Sequence, residues 1–369
     1  MEGRALLDAA RQDLARGWSV RAATRLRQAV DAGIEEALEE LARALLSGRI
    51  PGGAREARQH LEGASSRRNS VNLLLRASLR YAGIGGPMDR AGALHDLGAA
   101  AHDGSSQAAI ELALVWHELD RPGLAPARAW LDHAGRVSPL ARELSGLLPR
   151  GESAGGSLPV PDRWPDARAL PQCERLETEP RIERYRQVLD PLEAVWLCSA
   201  AKEALAPSLV ADPRSGAARP DPVRTGRTMC FGPEKPGIFA RRLADRLARL
   251  TGCGVERAEP LAVIHYRPGE QYRPHYDWLG PALDRDPLRS AGERVATVLA
   301  WLNKPDEGGA TLFPRLDLRV EPAAGDALAF ANLDAAGIPA EKALHAGEPI
   351  KAGEKWLVSL WIRQRPVQY

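Results

Sequence analysis

A repeat of about 35 residues runs through the first 150 residues of this chain and limits the folds open to it. Four leucines, each followed three residues later by an alanine, lie 35, 36 and 34 residues apart: Leu26, Leu61, Leu97 and Leu131. Alanine and leucine also recur at helical spacing, and strand-like alternation is absent. A period of this length, with small residues at helix contacts, indicates stacked pairs of helices, because one pair cannot bury its own apolar face.

The repeated pattern resembles Sel1-like repeats, which are relatives of the tetratricopeptide family, in three or four units. Gly48 and Gly83 mark turns between the predicted helices. An irregular helical bundle is the alternative interpretation. We therefore predict an N-terminal all-α helical-repeat solenoid in residues 1–150.

The composition changes after the repeats. Residues 151–161 are rich in Gly, Ser and Pro, which is typical of a linker, and no clear period follows as far as residue 180. We predict an irregular connection over residues 151–180. A strand is predicted at 182–188, helices at 190–205 and 238–250, and a long Gly/Pro/Arg loop at 211–237.

Short strands dominate from residue 262 onward. They are predicted at 262–266, 294–302, 310–313, 318–321, 327–331, 343–346 and 355–364. Many short strands after two helices favour an α+β domain over residues 181–369, with a double-stranded β-helix (jelly-roll) core. The chain as a whole is therefore predicted to be multidomain.

A His-x-Asp motif at His275 and Asp277 lies within this strand-rich region. The spacing places both side chains on one side of an extended segment. His345 is expected to reach them from a strand on the opposite side of a barrel. Two histidines and one carboxylate are the ligand set of non-haem Fe(II) oxygenases, although a His-x-Asp pair alone is weak evidence.

A strand-like run that begins at Lys355 supplies a cation. Lys355, Leu357, Ser359 and Trp361 share one face of it because strand side chains alternate. A lysine at the mouth of a barrel strand can meet the distal carboxylate of a dicarboxylate. On the strand pattern alone, an exposed edge lysine is the alternative.

These residues belong to a series of motifs that resembles the catalytic domain of the prolyl 4-hydroxylase branch of the 2-oxoglutarate- and Fe(II)-dependent dioxygenases. The matching segments, in chain order, are 265–277, 294–297, 307–314, 325–330, 344–347 and 353–356. The resemblance covers residues 262–362 and extends more weakly upstream to about residue 181. Trp278 stands where a second aromatic such as Tyr is common, and Ala310 replaces a frequent Glu. Neither departure removes a ligand.

The resemblance implies Fe(II) bound by His275, Asp277 and His345, and 2-oxoglutarate bound by Lys355. It places Tyr266, Thr311 and Trp361 near the cosubstrate. O2 is the implied oxidant, and ascorbate is a further candidate cofactor. The implied reaction couples oxidative decarboxylation of 2-oxoglutarate to hydroxylation of a C–H bond.

Candidate substrate contacts are Tyr272, Trp278 and Arg294. For the two aromatics a plain core role is the alternative, and for Arg294 it is a structural ion pair. Collagen-modifying members of the resembling family join a helical-repeat peptide-binding domain to the catalytic core. A prolyl residue of a protein or peptide recruited by the repeats is therefore the expected substrate, with a free amino acid as the alternative.

Two other classes of function compete with this hypothesis. A zinc hydrolase could use the same three ligands, but no Glu is placed as a general base and Lys355 is left unexplained. A helical-repeat scaffold with a weakly active or inactive oxygenase domain is the second. Degenerate oxygenases usually lose a ligand, whereas all three ligands and the lysine are present here.

Charge and cysteine usage restrict the partners and the compartment. The net charge of +2 implies neither a nucleic-acid nor an acidic-membrane partner. The four cysteines form no C-x-x-C pair, which argues against a zinc knuckle or a dense disulfide framework. The N-terminus does not read as a signal peptide, and no long apolar run is present. We expect a cytoplasmic protein.

Overall fold

The computed structural model describes residues 2–64, 69–119, 124–149, 151, 158–211, 218–220, 223–334 and 336–369. The chain forms two compact units. The helical unit comprises Met1–Asp166, Phe231–Arg241 and Tyr369, and the sheet unit comprises Ala167–Cys230 and Arg242–Gln368. Across the described residues, no helix has the length and apolar character needed to cross a bilayer.

The helical unit is built from consecutive helices that pack on one another. Within its described residues these are α1 (Glu2–Ala15), α2 (Ser19–Asp31), α3 (Glu35–Leu46), α4 (Ala54–Gly63), α5 (Ser70–Ala82), α6 (Arg90–His102), α7 (Ser106–Leu119), α8 (Ala125–Gly135) and α9 (Pro139–Leu147). The four repeat leucines fall on α2, α4, α6 and α8, and each is no more than 2% exposed. The 35-residue period is therefore that of a helix pair, as predicted.

The turns after α3 and α5 show why glycine recurs in the repeat. Gly48 and Gly83 have φ angles of 68° and 66°, in the left-handed region. A residue with a Cβ atom is strained there, so glycine ends these helices at low cost.

The sheet unit contains two helices and many short strands. The helices are α10 (Pro191–Lys202) and α11 (Ile238–Arg249), and residues 238–241 of α11 are counted with the helical unit. The strands are β1 (Cys173–Glu177), β2 (Ile182–Tyr185), β3 (Ala206–Pro207), β4 (Leu209–Ala211), β5 (Ala218–Pro220), β6 (Arg227–Phe231), β7 (Leu261–Tyr266), β8 (Tyr272–His275), β9 (Arg294–Trp301), β10 (Glu307–Gly308), β11 (Thr311–Phe313), β12 (Leu318–Val320), β13 (Ala327–Ala331), β14 (His345–Gly347), β15 (Ile350–Ala352) and β16 (Lys355–Arg363).

Two antiparallel sheets form the core of this unit. The larger has the strand order β1-β2-β13-β9-β16-β7-β6-β3, and the smaller has the order β12-β11-β14-β8. Side chains from both sheets pack into one apolar cluster that includes Trp301 and Phe330 from the larger sheet and Phe313 from the smaller. Two antiparallel sheets that share a core confirm the predicted jelly-roll architecture.

The prediction failed in the stretches between the recognised motifs. β1 lies in the segment predicted to be an irregular connection, and β6 lies in the segment predicted to be a loop. Residues 158–166 of the predicted linker belong to the helical unit. Within the predicted linker and loop, residues 152–157, 212–217 and 221–222 lie outside the described residues.

Candidate metal centre

Strand register brings two of the predicted metal ligands together. β8 and β14 pair antiparallel with His275 directly opposite His345, and the two ring centroids lie 4.2 Å apart. His345 therefore comes from the neighbouring strand of the same sheet. The expectation that it reaches the site from the opposite side of a barrel is wrong.

Asp277 completes the group from the turn that follows β8. Its carboxylate oxygens lie 3.7 Å from His275 Nε2 and 3.6 Å from His345 Nε2. One ligand atom from each of the three residues lies within 4.8 Å of the others. In the described part of the chain, this is the group of histidine, cysteine or carboxylate side chains arranged to hold a metal ion.

Backbone carbonyls orient both imidazoles. His275 Nδ1 lies 2.8 Å from the Arg273 carbonyl oxygen, and His345 Nδ1 lies 3.0 Å from the Ala343 carbonyl oxygen. Because a carbonyl can only accept, each Nδ1 carries the proton and each Nε2 keeps a lone pair. Both lone pairs are then available at the Nε2 atoms that face Asp277.

A buried hydroxyl and amide hold the Asp277 carboxylate. Thr297 Oγ1 donates to Asp277 Oδ2 at 2.7 Å, and Asn332 Nδ2 donates to Thr297 Oγ1 at 3.0 Å. Thr297 is 0% and Asn332 is 1% exposed. The sequence analysis did not single out either residue, although Thr297 stands in one of the matching motifs.

The charge states of the group suit a divalent cation. Burial, reinforced by the neighbouring His345, lowers the pKa of His275 to about 3. Burial alone would raise the pKa of Asp277, but the nearby His345, His275 and Arg294 outweigh it and lower that pKa to about 2. At neutral pH the site thus offers neutral His275 and ionised Asp277, which fits Fe(II).

Lys355 is a buried cation at the start of β16. Its strand neighbour on β7 is Tyr266, its side chain is 3% exposed, and Nζ donates to the Gly309 carbonyl at 2.6 Å. Burial lowers the pKa of Lys355 to about 8. The Glu348 charge opposes this shift, but among the described residues no carboxylate forms an ion pair with Nζ. The alternative of an exposed edge lysine is therefore wrong, and the site has a cation without an anionic partner.

One cavity connects the lysine to the metal-ligand group. Its walls include the three metal ligands and Tyr272. They also include the four residues predicted to bind the cosubstrate: Lys355, Tyr266, Thr311 and Trp361. The predicted face of β16 is correct, since Leu357 and Ser359 also line this cavity. Trp361 Nε1 is buried and lacks an acceptor among the described residues, so the cavity contains an unused donor.

The three residues predicted to contact the substrate lie in three different environments. Tyr272 lines the cavity and stacks on the His275 ring with centroids 3.4 Å apart. Trp278 is not among the lining residues, and its ring packs near that of Tyr276, 5.4 Å away. Arg294 makes a bidentate ion pair with Glu259, at 2.7 and 2.8 Å. This is the structural ion pair that was the alternative to a substrate contact.

Arg224 is a cavity residue that sequence reasoning missed. Its guanidinium lies 5.1 Å from the centroid of the Tyr272 ring, a cation–π distance. Burial raises the pKa of Tyr266, and the Arg224 charge beside its hydroxyl opposes that rise. Arg224 lies in the predicted Gly/Pro/Arg loop, where nothing distinguishes it from the other arginines of the segment.

Comparisons with known proteins identify relatives of this chain. The family model described as 2OG-Fe(II) oxygenase superfamily matches residues 261–363. Prolyl 4-hydroxylase 5 of Arabidopsis thaliana is 30% identical over 259 residues, which cover 63% of this chain and 82% of that protein.

Solved structures are also similar to parts of this chain. A viral collagen prolyl hydroxylase from Paramecium Bursaria Chlorella virus-1 is 26% identical, with 49% of this chain and 95% of that chain covered and a TM-score of 0.39. A Sel1 repeat protein from Oxalobacter formigenes is 16% identical, with 39% and 62% covered and a TM-score of 0.34.

Proposed function

We propose, from the premise that this chain belongs to the prolyl 4-hydroxylase family of 2-oxoglutarate- and Fe(II)-dependent dioxygenases, that it hydroxylates a prolyl residue of a protein or peptide. The observation that carries the proposal is the convergence of three ligand atoms within 4.8 Å of one another on the cavity that holds the buried Lys355. The cofactors of such an enzyme are Fe(II), 2-oxoglutarate and O2, with ascorbate as a candidate reductant.

His275, Asp277 and His345 are the proposed ligands of Fe(II), which when bound supplies the oxidising chemistry with 2-oxoglutarate and O2. The protein's contribution at this point is orientation. The carbonyls of Arg273 and Ala343 fix the two imidazole tautomers. Thr297 donates to Oδ2 of Asp277 and so fixes the carboxylate, with Oδ2 nearest His345 Nε2 and Oδ1 nearest His275 Nε2.

Lys355 is the proposed anchor for the distal carboxylate of 2-oxoglutarate. A buried ammonium without a carboxylate partner is costly, and an anionic ligand offsets that cost. Tyr266 and Thr311 line the same cavity, and the indole N–H of Trp361 is available to an acceptor there. These groups would fix the orientation of the cosubstrate relative to the metal ligands.

The remaining walls would separate the reacting atoms from water and position the substrate. Ile264, Leu299 and Leu357 give the cavity apolar sides. Tyr272 and Arg224 are the proposed contacts to the substrate, because both line the cavity next to His275. We further propose that the helical unit recruits the polypeptide. We also propose that the enzyme works in the cytoplasm, where cysteine thiols stay reduced.

The function is tested by incubating the full-length protein with Fe(II), 2-oxoglutarate, ascorbate and proteins of a host lysate. Mass spectrometry should find peptides that gain the mass of one oxygen atom on proline, in step with succinate formation. Asp277→Ala should abolish both signals, and Asp284→Ala, which removes a carboxylate outside the ligand group, should retain them. Wild-type turnover by a folded Asp277→Ala protein, or modification of free amino acids alone, would contradict the proposal.

A further inference from the structure

The helical unit binds a proline-rich segment of its own chain. The segment runs from Leu158 to Trp164 and contains two prolines, at 159 and 161. The indole N–H groups of Trp116 on α7 and Trp130 on α8 both donate to the Pro159 carbonyl, at 2.9 and 2.8 Å. Two donors from different helices therefore converge on one main-chain oxygen.

The rest of the segment is held closely on both sides of this oxygen. A Cβ atom on Gly98 of α6 would lie 2.7 Å from Val160 Cγ2, so the absence of a side chain there lets the valine approach the helix. Further along, Trp164 packs edge-on against Tyr81 with ring centroids 4.8 Å apart, and its N–H donates to the Arg90 carbonyl at 2.8 Å.

An open cavity continues beside Val160. Its volume is about 470 Å³, and all of its lining residues belong to the helical unit. Its walls combine apolar groups with a buried ion pair and two imidazoles: Leu73, Ala99, Arg76, Asp96, His95 and His102. The bound segment therefore fills one part of a larger recess.

These contacts suit the chemistry of proline-rich chains. Such chains are extended before they bind, so ordering them costs little conformational entropy. Their carbonyls lack intrachain partners, and aromatic grooves with N–H donors are a recurring way to recognise them. Trp116, Trp130 and Tyr81 provide such a surface on α5, α7 and α8, and Gly98 of α6 gives the chain room to lie close.

We propose that this surface is a binding site for extended proline-rich polypeptides, occupied in cis by residues 158–164, and that an incoming polypeptide binds by displacing them. The identification of that polypeptide as the hydroxylation substrate rests on the proposed function, whereas the binding itself does not. The tethered segment acts as an internal competitor whose effective concentration an external chain must exceed.

The test uses the full-length protein and a fluorescently labelled synthetic peptide with the sequence of residues 157–166. The double variant Pro159→Gly/Val160→Asp weakens the tethered segment and leaves the receiving surface intact. It should bind the peptide about tenfold more tightly than the wild type, because internal competition at millimolar effective concentration is removed. In that background, Trp116→Phe/Trp130→Phe should lose most of the gain, and Trp18→Phe, which changes an exposed indole, should keep it.

Because Trp130 is fully buried, the folding of its variant is checked by circular dichroism, and Trp116→Phe alone provides a milder substitution. A peptide in which Pro159 and Pro161 are replaced by glycine tests the same contact from the ligand side and should bind at least tenfold more weakly. Equal binding of both peptides, or no binding by the folded Pro159→Gly/Val160→Asp protein, would overturn the inference.

The measurement is made without iron or 2-oxoglutarate, so that it is independent of catalysis. If this peptide binds and no proline is ever hydroxylated, the proposed function fails and the binding site stands. If prolines of lysate proteins are hydroxylated and the peptide does not bind to any variant, the binding site fails and the proposed function stands.

Discussion

Thr297 is the side chain through which the larger sheet positions a metal ligand. Its hydroxyl donates to Asp277 and accepts from Asn332. Thr297→Val keeps the shape and removes both interactions, so the carboxylate loses its fixed orientation. Loss of such an outer contact typically weakens metal binding by roughly 10- to 100-fold. Titration with Co(II), read by absorbance, should show this loss for Thr297→Val and wild-type affinity for Thr297→Ser. Equal affinity of the two variants would exclude the positioning role.

Lys355 leads to a prediction about the cosubstrate. Lys355→Ala should raise the apparent KM for 2-oxoglutarate far more than it weakens Fe(II) binding. Loss of a charge-assisted bond in a desolvated site corresponds to on the order of 2–4 kcal/mol. Lys351→Ala is the matched control, because that lysine is exposed and pairs with Glu307 on the surface. An unchanged KM in steady-state decarboxylation assays of Lys355→Ala would remove the residue from the site.

The pKa of Lys355 predicts how cosubstrate binding depends on pH. Burial lowers that pKa to about 8, and the dianion requires the protonated form. Above pH 8 the protonated fraction falls by up to tenfold per unit, so the apparent KM of the wild type should rise by the same factor. Lys355→Arg keeps its charge in this range, and its KM should stay flat. Parallel pH profiles of the two proteins would contradict the assignment.

Sequence motifs predict these residues unequally. His275, Asp277, His345 and Lys355 could be named because residue type and chain order reveal them. Asn332 and Arg224 could not, since each reaches the site through strand pairing and loop geometry that no local pattern records.

At the level of elements, the start of α10 combines a capping box with a buried ion pair. Glu193 accepts from the backbone N–H of Asp190, and Arg246 of α11 pairs with both of its carboxylate oxygens, at 2.8 and 2.9 Å. Removing the charge with Glu193→Gln leaves Arg246 buried without its anion, which typically costs about 3–5 kcal/mol. Urea unfolding should show a matching loss of stability, while Glu203→Gln at the exposed end of α10 should change little. A shift no larger than that of the control would contradict this account.

The strands show where the local sequence pattern is sufficient to predict an element and its bounds. β9, β13 and β16 alternate or are buried on both faces, and their predicted bounds agree with the structure to within one residue. β1 has the sequence Cys-Glu-Arg-Leu-Glu and is largely exposed. It is a strand because β2 lies beside it at the sheet edge, and an edge strand of this kind carries no apolar period to detect.

For the whole molecule, the helical unit contains more than the repeats of residues 1–150. Residues 158–166 and 231–241 belong to that unit although they follow the repeats in sequence. Ile238 and Phe239 are 1% and 3% exposed. A protein that starts near Pro159 would therefore leave apolar side chains without their partners. Repeat periodicity could not reveal this, because segments that pack on a solenoid need not share its period.

Glu111 links the repeats to residues 236–238 and makes the stability of the helical unit depend on pH. Its Oε2 accepts from the Ile238 N–H at 2.7 Å, while Ser78 accepts from Gly237 and Gln107 donates to the Pro236 carbonyl. Burial raises the pKa of Glu111 to about 7, against an ordinary value of 4.5. Between these values the folded state retains a proton that the unfolded state has released. The contribution of Glu111 to the free energy of unfolding therefore falls as the pH rises from 4.5 to 7.

Glu111→Gln keeps an acceptor for Ile238 and cannot titrate, so it isolates this contribution from all other titrating groups. The stability of the wild type relative to Glu111→Gln should fall by about 1.4 kcal/mol per pH unit across that range and level off above pH 7. Urea unfolding followed by far-UV circular dichroism at several pH values measures the difference. Glu143→Gln, which changes an exposed carboxylate on α9, should show no such trend relative to the wild type. Curves for wild type and Glu111→Gln that stay parallel from pH 4.5 to 7 would mean that Glu111 is ionised in the folded protein throughout, and that residues 236–238 are held by a charged acceptor.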